Sequence, residues 1–124
     1  NGGGFTYFLW ATHPGLFAAI GPSAAGFAGL RGIDRNSLKP VPLIHVVGTE
    51  DTVVNPEGQE RTLAQMRILN GCESTTERPY GKSESKSSKQ SPVAVYRYKG
   101  GHKLPEEAPE VIVDFFKRIS RELS

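Results

Sequence analysis

The stretch Val41-Pro42-Leu43-Ile44-His45-Val46-Val47-Gly48 is apolar almost throughout, rich in β-branched residues and ended by glycine. A strand with one wet face alternates apolar and polar residues, whereas a strand covered on both faces reads as a continuous apolar run. The segment therefore predicts a buried strand inside a layered α/β fold. Its one polar member, His45, is expected to be a hydrogen-bonded core residue. Directly downstream, the turn at 49–54 leads to Asn55-Pro56, a helix cap followed by proline at the first helical position. Leu63, Met66 and Leu69 then recur at helical spacing until Asn70-Gly71 closes the helix. A second strand is predicted over residues 93–98, Val-Ala-Val-Tyr-Arg-Tyr, stopped by Gly100-Gly101. The last segment places Val111, Ile112, Phe115, Phe116, Ile119 and Leu123 on one helical stripe, with glutamates at its start and Lys117, Arg118 and Arg121 near its end. That charge order suits a helix dipole.

Upstream of the central strand, the opening Asn1-Gly2-Gly3-Gly4 and the apolar residues at 5–10 predict a short helix entered from a glycine turn and stopped at His13-Pro14. Residues 17–20 read as a short buried strand and residues 27–39 as loop. Residues 81–92, Gly-Lys-Ser-Glu-Ser-Lys-Ser-Ser-Lys-Gln-Ser-Pro, carry no apolar anchor and read as a mobile solvent-facing loop, dispensable for function. Strands alternating with helices predict an α/β fold with a mostly parallel sheet and helices on both faces. So few strands cannot cover one another, so residues 1–124 are expected to be one portion of a larger single domain.

Composition narrows the function. The chain has 124 residues, 37% of them hydrophobic and 23% charged, with a net charge of +2, as in ordinary globular domains. No apolar run approaches the roughly 18 residues of a membrane span. Residues 78–103 hold seven basic residues against the single acid Glu84, but neither interleaved aromatics nor a recognition helix accompanies them, which argues against nucleic-acid binding. Cys72 is the only cysteine, so no disulfide can form within the chain.

In open α/β sheets, ligands bind beyond the carboxyl ends of the strands. Asp51 falls three residues past the first strand, and His102 directly follows the Gly-Gly that ends the second. An acid and a histidine at the ends of successive strands supply what an Asp–His pair needs: a carboxylate to hold the imidazole tautomer and an imidazole to take a proton from a hydroxyl. Taken singly, Asp51 also suits a turn aspartate and His102 a loop histidine. Ser23, in Gly-Pro-Ser-Ala-Ala, is a poor nucleophile candidate, because Pro22 restricts the backbone a strained elbow would require.

Several motifs resemble the polyhydroxybutyrate depolymerase and feruloyl esterase group of α/β-hydrolases: Asn1-Gly-Gly-Gly-Phe5, the run at 16–24, Gly48-Thr-Glu-Asp-Thr-Val-Val54, Leu69-Asn-Gly-Cys72 and Gly100-Gly-His102. The resemblance covers most of the chain apart from residues 73–92. It implies the order Ser…Asp…His, with the nucleophilic serine of a G-x-S-x-G elbow just before Asn1. It further implies Asp51 as triad acid, His102 as triad base and the Asn1 backbone N–H as an oxyanion donor. The chain departs from the group at Val47, where a histidine is common, and at Lys103, where an aromatic is frequent. In secreted members the cysteine corresponding to Cys72 often joins a disulfide.

The implied activity is carboxylic ester hydrolysis through an acyl-enzyme, with no cofactor and no metal. The implied partners are a feruloyl, acetyl or polyhydroxyalkanoate ester and the upstream part of the same domain. The resemblance favours a secreted or periplasmic location. A hydrolase-like domain that only binds, or a peptidase or acyl transferase on the same fold, are the alternatives.

Overall fold

The computed structural model describes residues 2–13, 15, 17–23, 26 and 35–123. Its elements are α1 (Gly2–Thr12), a 3-10 turn at Arg35–Ser37, β1 (Leu43–Gly48), α2 (Pro56–Leu69), β2 (Cys72–Arg78), β3 (Lys82–Ser87), β4 (Val93–Tyr98) and α3 (Ala108–Leu123). The predicted central strand is β1, buried at every position. The cap at Asn55 is formed as its sequence implies: the side chain accepts the Glu57 N–H at 2.8 Å and Pro56 opens α2. Gly71, with φ +66°, supplies the left-handed residue that ends the helix.

The strands form one sheet in the order β1-β4-β3-β2. β1 and β4 are parallel, in register from Leu43 opposite Val93 to Gly48 opposite Tyr98. β3 is antiparallel to both β4 and β2. On the other edge of β1, Ile20 and Ser23 make isolated parallel bridges to Leu43 and Val46. The short strand expected at 17–20 is thus reduced to bridge contacts at Ile20 and, further on, at Ser23.

The fold is α/β, but its sheet is mixed rather than mostly parallel, and the difference lies in residues 72–87. The supposed mobile loop holds strand β3, which pairs on both sides. Lys82, Glu84 and Lys86 alternate with Ser83, Ser85 and Ser87, a period of two in which small hydroxyls take the place of apolar residues. Ser83 and Ser85 are buried, and their polar atoms are met: Ser85 Oγ lies 2.7 Å from Thr75 Oγ1, and Ser83 Oγ accepts from Arg97 at 3.2 Å. Ser87 donates to the Asn70 carbonyl at the end of α2.

Helices cover both faces. On one, Tyr7 and Trp10 of α1 and Leu63 and Met66 of α2 pack with Leu43, Val47, Val93 and Val95. On the other, Phe115 and Ile119 of α3 pack on Ile44 and Ala94, and Ala108 sits with Val46 and Tyr96. Burial of these side chains stabilises the layers by about 1.5–3 kcal/mol each for the large apolar ones. Arg118 of α3 clasps Glu84 of β3 in a bidentate ion pair, which ties the hairpin to the helix. No described helix is long and apolar enough to cross a membrane.

Candidate active site

Because β1 and β4 are parallel neighbours, their carboxyl ends lie side by side, and the loops that follow begin together. The ladder continues past both strands: Thr49 N–H donates to the Tyr98 carbonyl at 2.9 Å and Glu50 N–H to the Gly100 carbonyl at 2.9 Å. Gly48 permits this approach, since a Cβ there would stand 2.3 Å from the Gly101 oxygen and 2.7 Å from the Gly100 oxygen. The Tyr98 hydroxyl shares its single proton between the carbonyls of Gly101, at 2.6 Å, and Lys103, at 3.0 Å, on either side of His102.

The result brings Asp51 and His102 together, with Nδ1 of the imidazole 3.1 Å from Oδ2 of the carboxylate. The Asp51 side chain is fully enclosed, whereas that of His102 is 35% exposed, so the pair opens to solvent through the ring alone. Oδ1 accepts the backbone N–H groups of Val53 at 2.8 Å and Val54 at 2.9 Å. Gln59 of α2 donates to Oδ2 at 3.4 Å and to the Val54 carbonyl at 2.9 Å. Burial by itself would raise the Asp51 carboxyl. The hydrogen bonds from Val54, His102 and Val53 outweigh it and hold the group below the usual carboxylate range. An ionised carboxylate only accepts, so Nδ1 carries the proton and Nε2 is left as the basic nitrogen.

No protein-family model matches the chain, and no curated protein matches it.

Of the other residues singled out in the sequence, Asn1 lies outside the described residues; α1 begins at the next one. Ser23 sits half-buried beside β1, and among the described residues no hydrogen bond joins it to His102. His45 is fully buried and bonded at both ring nitrogens, to Tyr7 and to Gln59. Cys72 is a half-buried free thiol whose burial pushes its pKa up, against a role as nucleophile. Lys103 is exposed beside the pair. Gln59 was not anticipated, although a signal for it exists: it occupies the buried stripe of α2 four residues before Leu63, where an apolar residue would be expected. Two grooves of about 420 and 500 Å³ open between α3 and the β3 side of the sheet, and neither is lined by Asp51 or His102.

Proposed function

We propose that this protein is a carboxylic ester hydrolase in which Asp51 and His102 are the acid and base of a Ser–His–Asp triad. The observation that carries the reading is the Asp51 Oδ2 to His102 Nδ1 contact at 3.1 Å, at the carboxyl ends of two adjacent parallel strands. It is supported by the division of the carboxylate, with one oxygen fixed by backbone and the other turned to the imidazole. The nucleophile in this proposal is a serine immediately before Asn1, and the resemblance to the polyhydroxybutyrate depolymerase and feruloyl esterase group supplies that position.

In the reaction, His102 Nε2 removes the serine proton as the hydroxyl oxygen attacks the ester carbonyl. The resulting imidazolium is stabilised by Asp51 and returns the proton to the leaving alcohol as the acyl-enzyme forms. Water, deprotonated by the same nitrogen, then releases the carboxylic acid and restores the serine. The Asn1 N–H serves as an oxyanion donor in this scheme. Substrates are esters of the feruloyl, acetyl or hydroxyalkanoate kind, as the resemblance implies.

The test is kcat/KM of the full-length protein on a short-chain aryl ester. His102→Ala should lower it on the order of 10⁴-fold or more, and Asp51→Asn by about 10⁴-fold. The double variant should be scarcely worse than His102→Ala, because the residues act as a unit. Retention of more than about a tenth of the activity by His102→Ala, where loss of a triad member costs thousands-fold, would rule the reading out.

A further inference from the structure

Behind Asp51 a chain of buried polar side chains runs back through α2 and β1 to α1. Gln59 and His45 are fully buried, as is Tyr7. Tyr7 Oη lies 2.8 Å from His45 Nδ1, His45 Nε2 lies 2.9 Å from Gln59 Oε1, and Gln59 Nε2 lies 3.4 Å from Asp51 Oδ2. The acceptor end of this chain fixes the Gln59 amide and the proton on His45 Nε2. Asp51 and the Val54 carbonyl are acceptors only, so the Gln59 amide must present its NH2 to them, at 3.4 and 2.9 Å. A flipped amide would set an oxygen against two oxygens. Gln59 Oε1 therefore faces His45 and accepts from Nε2–H. A neutral imidazole then has Nδ1 as acceptor, and the Tyr7 hydroxyl donates to it. Burial favours this state at both groups, pushing the His45 pKa down to about 4 and that of Tyr7 well above its usual range.

We propose that Tyr7, His45 and Gln59 form a one-way hydrogen-bond relay that positions the Asp51 carboxylate, with Gln59 acting on it directly and the other two fixing the Gln59 amide. This rests on Asp51 being the triad acid. Every donor in the relay points toward Asp51, which also receives His102 on Oδ2 and the two backbone N–H groups on Oδ1. The carboxylate is held at both oxygens, and Oδ2 lies between Gln59 and the imidazole. Rotation of the carboxylate away from His102 must break the bond to Gln59. Rotation of the Gln59 amide must in turn break its bond to His45, in a region where a lost partner is not replaced by water. Gln59, His45 and Tyr7 are positioning residues: they touch no reacting atom and act through Asp51.

The experiment reads protonation in the full-length protein by NMR. In the wild type, the ring nitrogen shifts of His45 should show Nε2 protonated and Nδ1 bare from pH 5.5 to 8. A protonated Nδ1 would reverse the relay and overturn the proposal, and this measurement needs no variant to fold. The Asp51 carboxyl carbon should then be titrated in Gln59→Met, which keeps the side-chain length and loses the N–H. Its midpoint should rise by about one pH unit, since the charged form loses a donor. His45→Leu should shift it in the same direction by less, and Tyr7→Phe least. A Gln59→Met protein that melts as the wild type does, with the Asp51 midpoint unmoved, would also overturn the relay. For turnover, Gln59→Met should lower kcat about tenfold at unchanged KM, the pattern of an interaction that acts in the transition state. The NMR arms are independent of turnover, so a failed relay and a failed esterase reading give different results.

Discussion

The two oxygens of Asp51 are engaged differently, and that division separates two substitutions. Oδ1 closes the turn over Val53 and Val54, while Oδ2 meets His102 and Gln59. In Asp51→Asn the amide oxygen can still accept both turn N–H groups, but an NH2 now faces the imidazole and fixes the wrong tautomer. In Asp51→Ala the turn bonds are lost as well. Both variants should be comparably inactive, yet Asp51→Ala should be less stable than Asp51→Asn by about 1–2 kcal/mol in urea unfolding. Equal stabilities would mean that the Oδ1 bonds contribute nothing to the fold. The turn role and the partner role, which the sequence offers as rivals for this residue, hold together in the structure because a carboxylate has two acceptors to give. Gln59 was harder to see. Helical periodicity is read from apolar residues, and a glutamine on the buried stripe of α2 looks like an interruption until its partners are known.

Among the elements, β1, α2, β4 and α3 were legible because each carries its own signal: an unbroken apolar run, a cap with proline, or an apolar stripe with ordered charges. The β2–β3 hairpin carries none of these. β2 is an edge strand, almost wholly exposed, and β3 buries serines in place of aliphatics, so a search for apolar periodicity passes over both. The alternation of serine with Lys82, Glu84 and Lys86 was the available clue. One consequence is proteolytic: trypsin acting on the native protein should cut later after Lys82 and Lys86, which lie in a strand paired on both sides, than after Lys89, exposed in the turn that follows β3. Early cleavage after Lys82 or Lys86, read by mass spectrometry, would contradict the pairing of β3. A second consequence concerns the join between β1 and the loop after β4. Gly48→Ala places a Cβ against two carbonyl oxygens of the main chain, which cannot swing aside as a side chain can. It should cost about 1–3 kcal/mol in denaturant unfolding, as overpacking does, and separate His102 from Asp51. Gly100→Ala meets only the Tyr98 ring and should be milder. If both variants are equally stable and active, the close approach at Gly48 does not set the site.

At the scale of the whole molecule, the α/β layering was legible and the strand directions were not: a continuous apolar run marks a strand as covered on both faces, while parallel or antiparallel pairing depends on what lies beside it. The same covered interior makes stability depend on pH, above the carboxylate range, through His45. His45 sits between the two helices of one face and the sheet, bonded to Tyr7 and Gln59, with Glu60 favouring its charged form and Arg97 opposing it. Burial outweighs the rest and lowers its pKa from 6.5 to about 4. Between those values the unfolded chain binds a proton that the native state refuses. The contribution is therefore complete above pH 6.5 and is lost as the pH falls toward 4, at about 1.4 kcal/mol per unit for one proton, or about 3 kcal/mol in all. Asp51, whose pKa is also depressed, has the same sign but acts only from the ordinary carboxylate range downward. Urea unfolding at pH 7, 6, 5 and 4.5 should show the wild type losing stability steadily on acidification. His45→Gln, whose amide can still donate to Gln59 and accept from Tyr7, should be flatter across that window by about one proton's slope. If the variant and the wild type lose stability in parallel, His45 is not the titrating group, and its imidazole is already charged in the native core or its burial is shallower than the packing around β1 implies.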